Sequence, residues 1–245
     1  MNKQEILALP GMPAASPSYP RGPYRFVDRE YFVITYESCA EAIRQAVPEP
    51  LAPDGSNCVH YEWIRMPDSA GFGDYTESGV VIPCLHAGEP VNFVAQMYLD
   101  CDPPIVGGRE IWGFPKKYAN PRLEVSRDTL TGTLHYAGQL VAMGTMGYKF
   151  EAGDLAATSR ALTRTQVNLK LIPGCDGTPA IAQLVAYNLT DIHVKGSWTG
   201  PARLHLVPHV HAPVADLPVK RYRGGQHFIA DLTLPFGRVA FDYLG

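Results

Sequence analysis

From Cys58 to Leu99 the chain reads CVHYEWIRMPDSAGFGDYTESGVVIPCLHAGEPVNFVAQMYL. Three runs rich in β-branched and aromatic residues, Val59–Met66, Gly79–Leu85 and Val91–Leu99, are each bounded by Gly, Pro, Asp or Ser. Such punctuation predicts strand after strand joined by tight turns. Working outward, EYFVITYE over Glu30–Glu37 is a further strand. Ser38 and Glu41 stand at capping-box spacing for a helix over Cys39–Ala46, which Pro48 and Pro50 stop. Thr129–Tyr136 and Gln139–Tyr148 flank Ala137-Gly138 as the arms of a hairpin. Ile181–His193, Arg203–Val207, His227–Leu234 and Arg238–Tyr243 read as strands, while Lys3–Leu9 and Asp154–Leu162 read as helices. The expectation is a mainly β (β-rich α+β) chain, with residues 1–245 forming a single antiparallel, β-barrel-like domain with a few short helices. Residues 1–23, interrupted by Pro10, Pro13, Pro17, Pro20 and Pro23, form a proline-rich N-terminal arm lying over the body or over a neighbouring subunit.

Composition agrees with that reading and removes several function classes. With 23 glycines and 22 prolines in 245 residues, turn formers are in excess without a collagen-like period. The 21 basic and 24 acidic side chains give a net charge of −3, so there is no basic excess to hold nucleic acid. Cys39, Cys58, Cys84, Cys101 and Cys175 are scattered without a Cys-x-x-Cys pair, as expected of reduced thiols in a cytoplasmic protein. The first twenty residues lack the basic n-region and continuous apolar core of a signal peptide, and no apolar run approaches the roughly 18 residues of a membrane span.

The chemistry concentrates in Gly108–Pro121, GREIWGFPKKYANP. Two lysines follow Ile111, Trp112 and Phe114, a context that implies burial, and lysine is rarely buried without a reason. At an ordinary pKa near 10.4 only about one lysine amine in 10³ is neutral at pH 7. Desolvation penalises the charged form, and the neutral amine so produced can attack a carbonyl to form a Schiff base. Other constellations are weaker. His205, His209 and His211 are interrupted by Pro208 and have no nearby Cys or acid, so no metal is expected. Gly107-Gly108 lacks a nucleotide-binding pattern, so no nucleotide cofactor is expected, and no G-x-S-x-G nominates a serine nucleophile.

These residues sit among SPSYPRGPYRFVDREYF, VPEPL, DYTESG, MYLD, GREIWGFPKK, DTLTGTL, TMGYK, IPGCDG, WTGPARL, DLPVK and DYLG. In content and order the series resembles the acetoacetate decarboxylase family over nearly the whole chain. The resemblance makes Lys116 the Schiff-base residue, and this family is the standing example of a lysine activated by desolvation or a neighbouring cation. Adjacent side chains of an extended segment point to opposite faces, so Lys117 is expected to face away and desolvation to take the larger share. The resemblance also places Arg29, Glu62 and Glu77 around the lysine. Arg29 would steer the substrate carboxylate; Glu77 would orient Arg29, oppose the carboxylate by like charge, or help move the proton; Glu62 would pair with Lys117. A purely structural ion network is the alternative for these three. Val27, Met97 and Phe114 are candidates for the apolar wall against lysine and substrate. Phe114 offers no hydroxyl where some family sequences carry a tyrosine, so no phenol-dependent step is expected there.

The implied reaction is decarboxylation of acetoacetate, a small β-keto acid, to acetone and CO₂ through an iminium electron sink and an enamine. One rival is a Schiff-base aldolase or dehydratase of the same superfamily acting on another keto acid; another is a small-ligand-binding β-barrel without turnover. The resemblance further implies a homo-oligomer, a dodecamer, with no nucleic-acid or membrane partner.

Overall fold

Successive residues of Tyr31–Tyr36 enter two different cores. Phe32, Ile34 and Tyr36 join one buried cluster, whereas Tyr31 joins a second with Val33 packed against it. A strand buried on both faces needs apolar residues at consecutive positions, which explains runs such as Val80–Ile82 that do not alternate.

The computed structural model describes all of Met1–Gly245. The chain runs through α1 (Lys3–Leu7), β1 (Tyr24–Glu37), α2 (Ala40–Ala46), β2 (Ala52–Pro53), β3 (Cys58–Ser69), β4 (Gly73–His86), β5 (Glu89–Leu99) and α3 (Asp102–Gly107). A π-helical turn, Gly108–Trp112, continues α3 without a break and leads to β6 (Lys116–Tyr118), β7 (Asn120–Ser126), β8 (Thr129–Tyr136) and β9 (Gln139–Gly147). Then come β10 (Glu151–Ala152), α4 (Leu155–Leu162), β11 (Gln166–Pro173), β12 (Pro179–Tyr187), β13 (Thr190–Gly200), β14 (Ala202–Leu206), β15 (Arg221–Leu234) and β16 (Arg238–Asp242).

A twelve-stranded sheet follows the path β10-β13-β15-β1-β3-β4-β5-β11-β12-β16, with β2 on β4 and β6 on β5. Its pairings are antiparallel except β5 with β6 and β5 with β11. The expected mainly β, antiparallel architecture with short helices is the one observed; the large sheet curls but ends on β10 and β16 instead of closing into a barrel. A four-stranded sheet, β14-β9-β8-β7, covers one face. It approaches closely because Gly132 and Gly144, paired on β8 and β9, lie on the Trp63 ring, where added Cβ atoms would come within 2.3 and 2.6 Å of it. The other face of the large sheet forms the second core and the cavity described below.

The Ala137-Gly138 hairpin forms with positive φ at both residues. Several local expectations are corrected. The helix after β1 begins at Ala40 with Cys39 as N-cap and no side-chain cap. Ser38 is instead drawn into the end of the sheet, its amide donating to the Asn57 carbonyl. Ile181–His193 divides into β12 and β13 at Asn188-Leu189. The arm folds back on its own chain, where Tyr19 is 4% exposed and the Tyr24 hydroxyl donates to the Pro20 carbonyl.

Candidate active site

Strand register places the expected side chains. Met97 of β5 lies opposite Lys116 of β6 and, on its other side, opposite Gly79 of β4; Gly79 faces Glu62 of β3, which faces Val33 of β1. The neighbouring row runs Tyr31, Ile64, Glu77. Gly79 leaves a gap in the first row between Glu62 and Met97. A Cβ there would sit 2.9 Å from the Gln96 carbonyl oxygen, so the bulge beside it also excludes a side chain. The gap forms part of the floor of a cavity of about 200 Å³ that Lys116, Glu77, Arg29, Glu62, Met97 and Phe114 all line.

Arg29 enters this cavity through a second irregularity. The β1 register shifts between Phe26 and Arg29, with Asp28 at φ 54°. The extra residue turns both Phe26 and Arg29 inward. Val27 is therefore not among the lining residues: it is half-buried opposite Asp68, and Phe26 takes the expected place in the wall. The guanidinium lies 4.9 Å from the ring centroids of both Phe26 and Tyr31.

Lys116 is held from several sides. Its Nζ is 2.6 Å from Glu77 Oε1 and 4.9 Å from the Phe114 ring centroid. Arg109 Nη1 donates to the Lys116 carbonyl at 3.1 Å. The π-helical turn presses a bare glycine against the lysine: a Cβ on Gly108 would lie 2.9 Å from Lys116 Cδ and 3.2 Å from Nζ. Behind it, the Tyr19 ring packs on Gly107 and its hydroxyl donates to Glu110 at 2.6 Å, so the arm backs the turn that seats the lysine. Gly108→Ala is expected to fold, because the end of a lysine side chain can swing aside. It should nevertheless lower kcat about 10²-fold by displacing the amine. Thermal melting measured beside turnover checks both halves.

The electrostatics follow from burial. Desolvation is the largest influence on Lys116 and lowers its pKa; Glu77 pulls it back up and Arg29 adds to the lowering. Burial also raises the Glu62 carboxyl to about 7, with Arg29 opposing and Glu77 reinforcing the rise. Arg29 Nη2 stands 3.8 Å from Glu77 Oε2, and its buried Nε has no hydrogen-bond partner. The guanidinium thus keeps donors free for a ligand carboxylate.

Lys117 projects from the opposite face, where its ammonium donates to the His211 carbonyl and lies 5.1 Å from the Tyr136 ring centroid. The expected Lys117–Glu62 pair does not form, because β3 turns Glu62 into the cavity. His209 and His211 flank the same Tyr136 ring. Among the lining residues that sequence does not single out are Tyr31, Tyr75, Tyr187 and His60. Burial raises all three phenols, keeping them neutral donors, and lowers His60 to about 4. Tyr31 and Tyr75 lie within the quoted VDREYF and DYTESG neighbourhoods, two residues from Arg29 and Glu77, and strand alternation was the available signal.

Comparison with known proteins now decides the family. Residues 11–244 match the family model described as acetoacetate decarboxylase (ADC). The chain belongs to the acetoacetate decarboxylase family. As a member it is a carboxy-lyase. It is 58% identical over 233 residues to an acetoacetate decarboxylase of Bordetella avium (strain 197N), covering 95% of this chain and 94% of the relative. The crystal structure of acetoacetate decarboxylase from Legionella pneumophila superposes with a TM-score of 0.94 at 47% identity, covering 97% of this chain and 94% of the other. The enduracididine biosynthesis enzyme MppR, complexed with the condensation product of pyruvate and imidazole 4-carboxaldehyde, is similar at TM-score 0.82 and 18% identity over 94% of each chain, which shows a shared fold alone. No helix in this member of the family is long and apolar enough to cross a membrane.

Proposed function

We propose that this chain decarboxylates acetoacetate to acetone and CO₂ through a Schiff base on Lys116. The observation that carries the reading is a buried primary amine, 2.6 Å from a carboxylate, in a cavity whose single arginine keeps unpartnered donors. Burial supplies the neutral amine, which attacks the ketone carbon. Loss of water gives an iminium β to the carboxylate. The electrons of the breaking C–C bond flow to that nitrogen as CO₂ leaves, and the enamine takes a proton at carbon. Hydrolysis of the second iminium frees acetone and the amine.

Arg29 orients the carboxylate, while Glu77 shares the arginine and prevents it from gripping the ground state too tightly, which would oppose loss of neutral CO₂. Glu62, with its carboxyl near pH 7, is the proton donor to the enamine carbon. The sign follows. The protonated carboxyl is the active form, so kcat falls as pH rises through about 7. Glu62→Gln is expected to remove that alkaline limb and to lower maximal kcat roughly 10²–10⁴-fold; an unchanged limb assigns the proton elsewhere. The exposed Met1, Ile6, Leu7 and Met12 of the arm supply apolar surface for contact between subunits of a homo-oligomer.

The decisive experiment is borohydride reduction with fresh acetoacetate followed by peptide mapping. An isopropyl group on Lys116, forming faster than with acetone alone, supports imine formation with CO₂ loss. A carboxylated adduct moves the chain to the aldolase-like reading, and an unmodified Lys116 leaves a binding protein.

A further inference from the structure

The cavity extends well past the reacting groups. Along β1 the lining residues are Arg29, Tyr31, Val33 and Thr35 in succession. Arg29 and the row of Tyr31 and Glu77 occupy one end. The next row holds Val33, Glu62 and the gap at Gly79, with Lys116 at its side. Beyond lies a third row, Thr35, His60, Val81 and Val94, and past Val94 on the same face of β5 stands Asn92. Each row lies about 6.8 Å from the last, two strand residues at 3.4 Å.

Resting on the Schiff-base reading, acetoacetate with its carboxylate at Arg29 and its ketone at Lys116 directs its terminal methyl toward Val81 and Val94. It then leaves the third row unused. That row begins apolar and ends polar. Thr35 Oγ1 and His60 Nδ1 are hydrogen-bonded at 2.9 Å, which fixes the imidazole and leaves Nε2 as its remaining polar atom. Asn92 Oδ1 is buried with no hydrogen-bond partner, a condition that favours a ligand bringing a donor. Asn92 stands two rows past Lys116, about 13.6 Å, so a tail of about five methylenes ending in a hydroxyl, met by the reach of the Asn92 side chain and a hydrogen bond of about 2.8 Å, spans the gap.

We infer that Asn92, His60 and Thr35 form a distal subsite, so that the enzyme takes β-keto acids continuing about five carbons past the ketone and ending in a neutral hydroxyl. The balance of the reaction is unchanged: the β-keto carboxylate and one proton give the methyl ketone and CO₂. Val81 and Val94 pack against the methylenes, and the terminal hydroxyl donates to Asn92 Oδ1.

The test compares kcat/KM for acetoacetate, 3-oxooctanoate and 8-hydroxy-3-oxooctanoate. The hydroxylated acid is expected to exceed 3-oxooctanoate about 5–10-fold, the worth of one hydrogen bond to an otherwise unpaired buried group. In Asn92→Leu and His60→Leu, melted in parallel to verify folding, that ratio should fall toward one. Equal rates for the two longer acids in the native enzyme, or a ratio unmoved by both variants, would overturn the subsite. Calorimetric binding of 7-hydroxyheptan-2-one against heptan-2-one requires neither decarboxylation nor a folded variant. Tighter binding of the hydroxyketone supports the subsite even if acetoacetate proves not to be turned over, and equal binding rejects it while leaving the decarboxylation reading intact.

Discussion

Lys116→Ala is expected to reduce kcat/KM for acetoacetate by at least about 10⁴-fold, since each tenfold step is about 1.4 kcal/mol of lost transition-state stabilisation and the whole covalent route is removed. No other amine can take its place. Lys117 is directed out of the cavity toward the His211 carbonyl, and Lys170 donates to the Ile111 carbonyl. Lys116→Arg should be equally inactive, because a guanidinium keeps its charge and cannot form the imine. Steady-state CO₂ release checks the rates, and borohydride labelling of both variants should give no adduct. Residual activity within about tenfold of the native enzyme would mean that C–C cleavage does not run through this amine.

Glu77→Gln carries the second large effect and separates two functions of one carboxylate. Glu77 raises the Lys116 pKa, whereas burial and Arg29 lower it. Removing the negative charge leaves both lowering influences in place. The acid limb of kcat/KM, which rises as the amine loses its proton, should therefore move to lower pH. The plateau should nevertheless fall roughly 10²–10³-fold, because the amine and the guanidinium lose the group that holds both in position. A limb moving to higher pH would reverse the assigned electrostatics. An unchanged plateau would make Glu77 dispensable for positioning.

The features legible in the sequence share a local cause. The three strands of Cys58–Leu99 declare themselves through residue type and turn punctuation, and Lys116 stands out because charge follows a buried aromatic run. Where interpretation failed, the cause lies in a partner strand. Proximity to Arg29 in sequence puts Val27 in the wall, but the bulge at Asp28 exists only relative to β3 and β15. Charge alone pairs Glu62 with Lys117; which face of β3 turns toward the cavity depends on the four-stranded sheet covering the other face. The Asp102–Trp112 helical stretch carries no helix signal in the sequence, because Pro103-Pro104 and Gly107-Gly108 are poor helix formers. The prolines fit the first turn of α3, and a glycine is required where Lys116 crosses the π-helical turn. Tyr187 comes from β12, remote in sequence, and reaches Phe114 at a ring separation of 5.3 Å only because the large sheet curls.

The pairing of β1 with β15, from Tyr24 against Leu234 to Glu37 against Arg221, also governs how the protein is made. On the ribosome, the strand carrying Arg29 emerges early and finds β3 within a few tens of residues, yet its other edge stays open until almost the entire chain has been translated. At elongation rates of about 5–20 residues per second, that edge waits on the order of 10–40 s. Through that interval an apolar strand with free amides and carbonyls is available to any neighbouring nascent chain. Truncated products ending before Arg221 would keep it open permanently, making premature termination a source of aggregates as well as of inactive enzyme.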